Sequence, residues 1–297
     1  MSHRARLALY RFGAAVIEAV PERLSLVVAR RVALLAGRRG STRYENVRRN
    51  VAHALAAPAG SPPLPDELLA SFVRRGLGSY AQYWVEGAKL TGLSLDEING
   101  RFTICEGLEH LVAARALGRG VVIALPHVGS WEWGGAHLDS LDLAMTAVAE
   151  ALEPPELFEW FSAKRAAVGI SIVPLTNQVG ATLSALLREG AVVGLLCDRD
   201  LSGTGVEVTF FGERVTMPAG PATLALRTGA TLVAAACYSG PGRDHFAVIT
   251  PPIATERLGR LREDVVRVTQ AVTQEIEGLI RRAPEQWHVL EDRFARG

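Results

Sequence analysis

Short apolar runs alternate with helical stretches from about residue 101 onwards, and this alternation constrains the fold more than any other feature of the chain. The runs are of strand length and carry few polar residues, so both of their faces are expected to be buried. Strands separated by helices form a largely parallel sheet with helices on both faces. The sequence therefore predicts an α/β fold. The predicted strands lie near 102–105, 121–125, 145–149, 171–174, 191–196, 207–211, 231–237 and 245–249.

Helical patterns precede and follow this predicted α/β core, which spans 101–255, and the whole chain is predicted to be one domain. Residues 1–57 have the pattern of basic amphipathic helices, and 66–90 that of one long helix. A segment rich in Pro, Gly and Ser separates them at 58–65. Residues 256–293 are predicted to close the chain as helix. With 48% hydrophobic residues, a chain of this length can bury a sizeable core.

Positive charge is concentrated at the start of the chain. Residues 1–50 contain eleven arginines against three glutamates, although the net charge of the whole chain is only +1. Apolar residues recur there at helical spacing on both sides of Pro21. Two basic amphipathic helices of this kind are typical of a segment that lies on an anionic membrane surface. The alternative is an ordinary helical hairpin that packs on the domain with solvated arginines.

Several other classes of partner and location are not expected. No run approaches the roughly 18 consecutive apolar residues of a spanning helix, and no signal peptide is recognisable. We therefore expect a peripheral protein on the cytoplasmic face of the plasma membrane. The arginines are not interleaved with stacking aromatics, so no nucleic-acid partner is predicted. The three cysteines lie far apart without metal-ligand spacing, and neither a metal nor a bound cofactor is predicted.

A histidine and a carboxylate follow the apolar run 121–125. His127 and Glu132 lie five residues apart, and Gly129 and Ser130 between them predict a turn before a helix. In open α/β sheets, ligands bind beyond the carboxyl ends of the strands. A histidine can deprotonate a hydroxyl near pH 7 while a carboxylate orients its ring. The pair indicates acyl transfer to a hydroxyl; a loop histidine beside a helix-capping glutamate is the alternative.

Other charged residues are predicted at the same rim, because they follow predicted strands. Carboxylates can bind sugar hydroxyls and guanidinium groups can bind phosphate, whereas surface charges or a structural ion-pair network are the alternative. These candidates are Glu150, Asp198, Arg199 and Asp200. Trp131 and Trp133 are candidates to line an acyl channel, although tryptophans in the first turn of a buried helix are usually part of the core.

The motif Gly129-Ser130-Trp131-Glu132 resembles that of the late lipid A acyltransferases, whose signature is a histidine followed five residues later by Asp or Glu. Further matching segments are 46–50, 198–200 and 284–288, so the resemblance spans nearly the whole chain. Within this branch the sequence is most similar to the actinobacterial phosphatidylinositol mannoside acyltransferases, and that closer match continues through 205–213. One departure is that those proteins often carry Asp where Glu132 stands.

This resemblance implies a glycerolipid acyltransferase-like fold and transfer of a fatty acyl group, expected to be palmitoyl, from acyl-CoA to the 6-hydroxyl of a mannose on a membrane-anchored phosphoinositide. It implies that His127 is the general base, that Glu132 orients it, and that Glu150 and Arg165 line the acceptor pocket. Three alternatives remain open. They are an acyltransferase for another glycolipid or a lysophospholipid, a hydrolase of acyl-CoA or phospholipid, and a lipid-binding protein without activity.

Overall fold

Seven strands form the central sheet of the computed structural model, which describes residues 3–56, 64–150, 152–200 and 203–294. Their order across the sheet is β1-β9-β8-β2-β5-β3-β4. Two further strands, β6 and β7, form a separate hairpin. The strands are β1 Phe102–Glu106, β2 Val121–Leu125, β3 Met145–Ala149, β4 Ser171–Pro174, β5 Val192–Leu196, β6 Val206–Phe210, β7 Glu213–Met217, β8 Thr231–Ser239 and β9 His245–Ile249.

The sheet is mostly parallel, which confirms the predicted α/β class. The strands β8, β2, β5, β3 and β4 pair in parallel, as do β1 and β9, and the antiparallel pair within the sheet is β8 with β9. Strand β2 lies in the middle and is buried at every position. Burial on both faces explains why its sequence is a continuous apolar run.

Helices cover both faces of the sheet. The face with Val122 and Ala124 packs against α9, α10 and α11, whereas the face with Val121 and Ile123 packs against α5, α6 and α7. The helices are α1 His3–Ala19, α2 Glu22–Ala36, α3 Thr42–Ala54, α4 Asp66–Leu90, α5 Leu95–Asn99, α6 Leu108–Ala116, α7 Trp131–Ser140, α8 Pro155–Ala166, α9 Val179–Arg188, α10 Gly220–Thr228 and α11 Leu261–Arg282, followed by a 3-10 turn at Pro284–Gln286.

The hairpin corrects one part of the predicted sheet. The strand expected near 207–211 pairs antiparallel with β7 outside the seven-stranded sheet, and β7 itself was not predicted. Only Phe211 and Gly212 connect the two strands, and both have positive φ angles, of 49° and 83°. This is the backbone of the two-residue turn that suits the twist of a hairpin. A non-glycine residue in this conformation is uncommon, so no sequence pattern predicted the turn.

The C-terminal segment is less helical than predicted. Helix α11 begins at Leu261, and residues 256–260 precede it without regular structure. Leu258, which lies within the predicted helix, is 75% exposed. After the 3-10 turn the chain runs back across the end of the sheet, where Val128 forms a bridge with Trp287. The predicted break at 58–65 lies mostly outside the described residues, as does Ala57.

Helix α2 packs through small residues and leaves its large apolar side chains outside. Helix α2 rests on α4, where a Cβ on Gly37 would lie 2.5 Å from a methyl group of Leu77, and Ser25 is buried. The apolar residues predicted on α2 are exposed, among them Val32 at 58% and Leu35 at 76%. None of the helices in the described ranges combines the length and apolar character needed to cross a bilayer.

Candidate active site

His127 lies in the turn that follows β2, at the carboxyl end of the central strand. The turn is packed tightly against β8, because any Cβ at Gly129 would lie 2.0 Å from the carbonyl oxygen of Cys237. The φ angle of Gly129 is 56°, so only glycine suits this position. The Gly129 N–H donates to the carbonyl of Gln286 at 3.0 Å, and the Ser130 N–H donates to that of Cys237 at 3.2 Å.

Asp198 is the carboxylate hydrogen-bonded to the His127 ring. Its Oδ1 lies 2.5 Å from Nδ1 of His127, and its Oδ2 accepts the backbone N–H of His127 at 2.9 Å. The indole N–H of Trp287 donates to the same Oδ2 at 2.7 Å. Strands β2 and β5 are adjacent and parallel, with Leu125 opposite Leu196. The residues two positions beyond each strand therefore meet at the rim of the sheet.

The environment of Asp198 keeps it ionised. The side chain is 0% exposed, and burial alone would raise the pKa of its carboxyl. The charge that His127 carries when protonated, together with the hydrogen bonds from His127 and Trp287, lowers that pKa below its usual value. A carboxylate can only accept, so the ring proton of neutral His127 sits on Nδ1 and Nε2 carries a lone pair. The His127 side chain is 25% exposed, which leaves its ring accessible from the cavity described below.

The structure corrects the prediction that Glu132 orients His127. Glu132 is the second residue of α7, and its carboxylate points towards α4 and α8 instead of back along the turn. Its Oε1 accepts a hydrogen bond from the Tyr83 hydroxyl at 2.9 Å and one from the Arg165 guanidinium at 3.1 Å. The orienting position is taken by Asp198, because strand order places it closer to the ring than the helical turn places Glu132.

Tyr83, Glu132 and Arg165 form a second cluster of side chains, in which Arg165 keeps its charge. Burial, followed by the charge of Glu132, raises the pKa of Tyr83 far above its usual value, so its hydroxyl stays a donor. Burial alone would lower the pKa of Arg165, but Glu132 and Tyr83 outweigh it and the net shift is upward. Arg165 is therefore a cation held beside the turn. The Oε2 of Glu132 and the Nε of Arg165 are buried without a hydrogen-bond partner among the described residues.

Two cavities meet beside the turn. The larger has a volume of about 930 Å³ and is lined by His127, Trp131 and the acceptor candidates Glu150, Arg165, Arg199 and Asp200. The smaller, of about 480 Å³, lies among α1, α4 and α8 and is mainly apolar. Tyr83 and Arg165 line both cavities, and Glu132 lines the smaller one. The Tyr83–Glu132–Arg165 cluster is thus the wall between them.

The predicted charged cluster at the end of β5 divides into three separate environments. Asp198 is fully buried behind His127, so it orients the ring and does not line the cavity for an acceptor. Arg199 pairs with Glu291 at 2.5 Å. Asp200 accepts the backbone N–H groups of Gly203 and Gly205 at 3.0 and 2.9 Å, and so shapes its own loop.

The two tryptophans of the motif also differ. Trp131 lines the larger cavity, and the guanidinium of Arg165 lies 5.2 Å from its ring centroid. Trp133 is 1% exposed and stacks on His245 with a centroid distance of 4.1 Å. It lines neither cavity, which corrects its assignment to an acyl channel. Trp133 lies two residues beyond Trp131 on α7, so its side chain faces the sheet and belongs to the core.

Three residues at this site were not singled out from the sequence. The Trp287 indole completes the hydrogen bonding of Asp198, and Tyr83 binds Glu132. The His288 N–H donates to the carbonyl of His127 at 2.7 Å. The His288 ring is hydrogen-bonded to Ser79 at 2.9 Å, and burial lowers its pKa to about 3, so it remains neutral. The segment 284–288 did match the resemblance, and that was the available signal for Trp287 and His288.

The geometry suits removal of a proton from a hydroxyl beside an apolar chain. A neutral imidazole backed by a buried carboxylate is a general base whose protonated form is stabilised. The larger cavity, whose wall includes Glu150, Arg165 and Arg199, can hold a hydroxylated, anionic molecule, and the smaller, mainly apolar cavity can hold a hydrocarbon.

Comparison with known proteins agrees with this chemistry. The sequence model of the family described as bacterial lipid A biosynthesis acyltransferase matches residues 2–296. A phosphatidylinositol mannoside acyltransferase of Mycolicibacterium smegmatis is 33% identical over 288 residues, covering 96% of this chain and 90% of that protein. One of the same name from Mycobacterium tuberculosis is 36% identical over 254 residues, covering 84% of this chain and 77% of that protein.

Proposed function

This chain belongs to the bacterial lipid A biosynthesis acyltransferase family, and on that basis we propose that it transfers a fatty acyl group to the 6-hydroxyl of a mannose of a phosphatidylinositol mannoside. The acyl donor in this proposal is acyl-CoA and the acyl group is palmitoyl. The observation that carries the proposal is the His127–Asp198 pair beside two cavities, a smaller and mainly apolar one and a larger one whose wall includes several charged side chains. The names of the two relatives support the choice of acceptor.

The proposed reaction is a direct transfer. Nε2 of His127 takes the proton of the mannose hydroxyl while its oxygen attacks the thioester carbonyl, and the buried charge of Asp198 stabilises the imidazolium. Collapse of the tetrahedral intermediate forms the ester C–O bond and breaks the C–S bond. The proton held by His127 then passes to the departing thiolate. No covalent enzyme intermediate is needed, because the thioester is already activated.

The two substrates are assigned to the two cavities by the side chains that line them. The acyl chain occupies the smaller cavity, whose walls include Tyr10, Trp84 and Phe161. The mannoside headgroup occupies the larger one, where Glu150 accepts sugar hydroxyls and Arg199 faces phosphate. In this arrangement the thioester lies near the Tyr83–Glu132–Arg165 wall, and the Arg165 cation faces the developing oxyanion.

The N-terminal helices are assigned to the membrane surface. Phe12 on α1 and Val32 and Leu35 on α2 are 69%, 58% and 76% exposed, respectively, and arginines lie on the same helices. Apolar side chains set among cations are suited to the headgroup region of an anionic bilayer. The proposal places the protein peripherally on the cytoplasmic face of the plasma membrane, where both lipid substrates are within reach.

The test is an acyl-transfer assay with radiolabelled palmitoyl-CoA and a panel of phosphatidylinositol mannosides and lysophospholipids. A labelled mannoside is expected from the wild type, with a loss on the order of a hundredfold or more in His127→Ala. His110→Ala, which changes a histidine that lines neither cavity, is the matched control. Free fatty acid from the wild type irrespective of acceptor would instead identify a hydrolase, and a labelled lysophospholipid product would change the acceptor class.

A further inference from the structure

One face of α4 lies against the turn that carries His127. Four of its residues, at the helical spacing i, i+3, i+4 and i+7, are hydrogen-bonded to side chains outside the helix or to each other; they are Ser79, Gln82, Tyr83 and Glu86. Helix α4 also packs against α2, the helix with the exposed apolar residues. Helix α4 is therefore the element that joins the proposed membrane-facing helix to the catalytic turn.

Glu86 makes the contact with the turn itself. Its carboxylate is 2% exposed, and Oε2 accepts the hydroxyl proton of Ser130 at 2.7 Å. Its Oε1 accepts from the amide of Gln82 at 2.6 Å. The carbonyl oxygen of Gln82 in turn accepts from the guanidinium of Arg30 on α2. A continuous chain of side-chain hydrogen bonds therefore runs from α2, through α4, to the residue three positions after His127.

Ser130 occupies the N-cap position of α7, but its hydroxyl does not cap the helix. A serine there ordinarily accepts a backbone N–H of the first turn, an interaction that stabilises the start of the helix. In this chain the hydroxyl donates to Glu86 instead. The contact with Glu86 thus replaces a local stabilising interaction with one that ties the turn to α4.

A buried carboxylate without a paired cation is costly, which makes Glu86 informative. The nearest basic group among the described ion pairs is Nε2 of His245, 3.8 Å from Oε1. Burial lowers the pKa of His245 to about 3, so that ring is neutral and brings no charge. Burial also raises the pKa of Glu86, against the hydrogen bonds from Ser130 and Gln82. An apolar side chain of similar volume would fill this space at lower cost.

We infer that Glu86 is a positioning residue for acyl transfer: through Ser130 it fixes the turn that presents His127, and Arg30 on α2 holds it in place through Gln82. The inference rests on the proposed function for its reaction. It assigns Glu86 no contact with substrate. Its effect is on geometry, where a displacement of the base by about 1 Å lowers turnover by as much as a hundredfold.

The test compares Glu86→Gln with Asp264→Asn, both of which neutralise a buried carboxylate without changing its size. Asp264 is 2% exposed, binds Arg257 and Arg267, and lines neither cavity. Glu86→Gln is expected to lower kcat by about tenfold or more, with KM for both substrates nearly unchanged. Asp264→Asn is expected to lower the melting temperature while kcat stays at the wild-type value.

A second variant tests the same link from its other end. Ser130→Ala is expected to lower kcat by a similar factor, and the double variant Glu86→Gln/Ser130→Ala is expected to lose no more than the larger single loss, as coupled residues do. Ser130→Ala also serves if Glu86→Gln does not fold. Arg30→Ala, which leaves Glu86 and Ser130 bonded, is expected to give a smaller fall in kcat. Wild-type kcat in folded Glu86→Gln or Ser130→Ala would overturn the inference.

A measurement without substrate separates this inference from the proposed function. The proton shared by His127 and Asp198 is expected to give a far-downfield proton NMR signal, absent in His127→Ala. Glu86→Gln should shift or broaden that signal, and Asp264→Asn should leave it unchanged. If the wild type acylated no mannoside while Glu86→Gln still disturbed the signal, the proposed function would fail and the positioning role would stand. An undisturbed signal with unchanged kcat would reject the role alone.

Discussion

Nδ1 of His127 lies 2.5 Å from Oδ1 of Asp198, a residue 71 positions further along the chain. The two are joined because β2 and β5 are neighbours in the sheet. The buried carboxylate fixes the tautomer of the ring and stabilises its protonated form. This relationship makes Asp198, and not Glu132, the partner on which turnover should depend.

Asp198→Asn is therefore expected to lower kcat by about a hundredfold or more, because an amide can hydrogen-bond the ring in the wrong tautomer. Steady-state acyl-transfer kinetics would measure the loss, with Asp264→Asn as control. Asp264 is buried, binds Arg257 and Arg267, and lines neither cavity. A kcat for Asp198→Asn equal to that of the control would show that the reaction does not need the charge of Asp198.

Asp198 should also make stability depend on pH. Its folded-state pKa lies below the usual value, so the ionised carboxylate stabilises the protein above the unfolded pKa of about 3.9. That contribution is lost as the pH falls from there through the folded-state pKa. Urea denaturation at pH 7 and at pH values below about 3.9 should show a smaller fall in the free energy of unfolding for Asp198→Asn than for the wild type. Parallel falls would contradict the prediction.

Glu132→Gln is expected to act mainly on stability and on substrate binding. Removing this charge leaves the Arg165 cation, whose side chain is 21% exposed, without its ion-pair partner. Loss of one member of such a pair costs about 3 kcal/mol in the free energy of unfolding. Chemical denaturation would measure it, and KM for the acyl donor should rise more than kcat falls. A loss of kcat as large as that of Asp198→Asn would show instead that Glu132 orients the His127 ring.

Gly87→Leu is expected to shift the preferred acyl donor to a shorter chain. Gly87 lines the smaller cavity, and nothing lies within 4 Å of a Cβ at this position, so the new side chain takes up cavity space. Gly278→Leu is the matched control, since Gly278 lies in α11, is equally open and lines neither cavity. Competition between acyl-CoA donors of different length would measure the preference. An unchanged preference in Gly87→Leu would place the acyl chain elsewhere.

The double variant Val28→Asp/Leu35→Asp is expected to weaken binding to vesicles of anionic lipid by about tenfold or more, because each change removes apolar surface from the interface. Both side chains are exposed on α2, at 51% and 76%. Leu117→Asp alters a similarly exposed leucine, at 67%, near the end of α6. Cosedimentation with vesicles would compare the three. Equal binding by all three proteins would exclude α2 from the interface.

The sequence predicted local features better than long-range contacts. The eight predicted strands all exist, because apolar runs and turn residues act over a few positions. The partner of His127 depended on which strands are neighbours, and no local pattern encodes the order β2-β5. Whether the Trp133 side chain faces a cavity or the core depended on the rotation of α7 about its axis. Glu86 lies on a helix whose pattern is simply amphipathic, so its contact with Ser130 left no mark in the sequence.

Because β2 and β5 lie in the middle of the sheet, the proton-transfer pair and the walls of the two cavities come largely from different parts of the chain. The groups proposed to move the proton directly follow two adjacent central strands, and Gly129 packs against a third. The cavity walls, by contrast, come largely from α1, α4, α8 and α9 and from loops at the sheet rim. Side chains on those walls can be exchanged without moving the proton-transfer pair. Proteins that descend from such a chain can therefore change their lipid substrates while they keep the same proton-transfer chemistry.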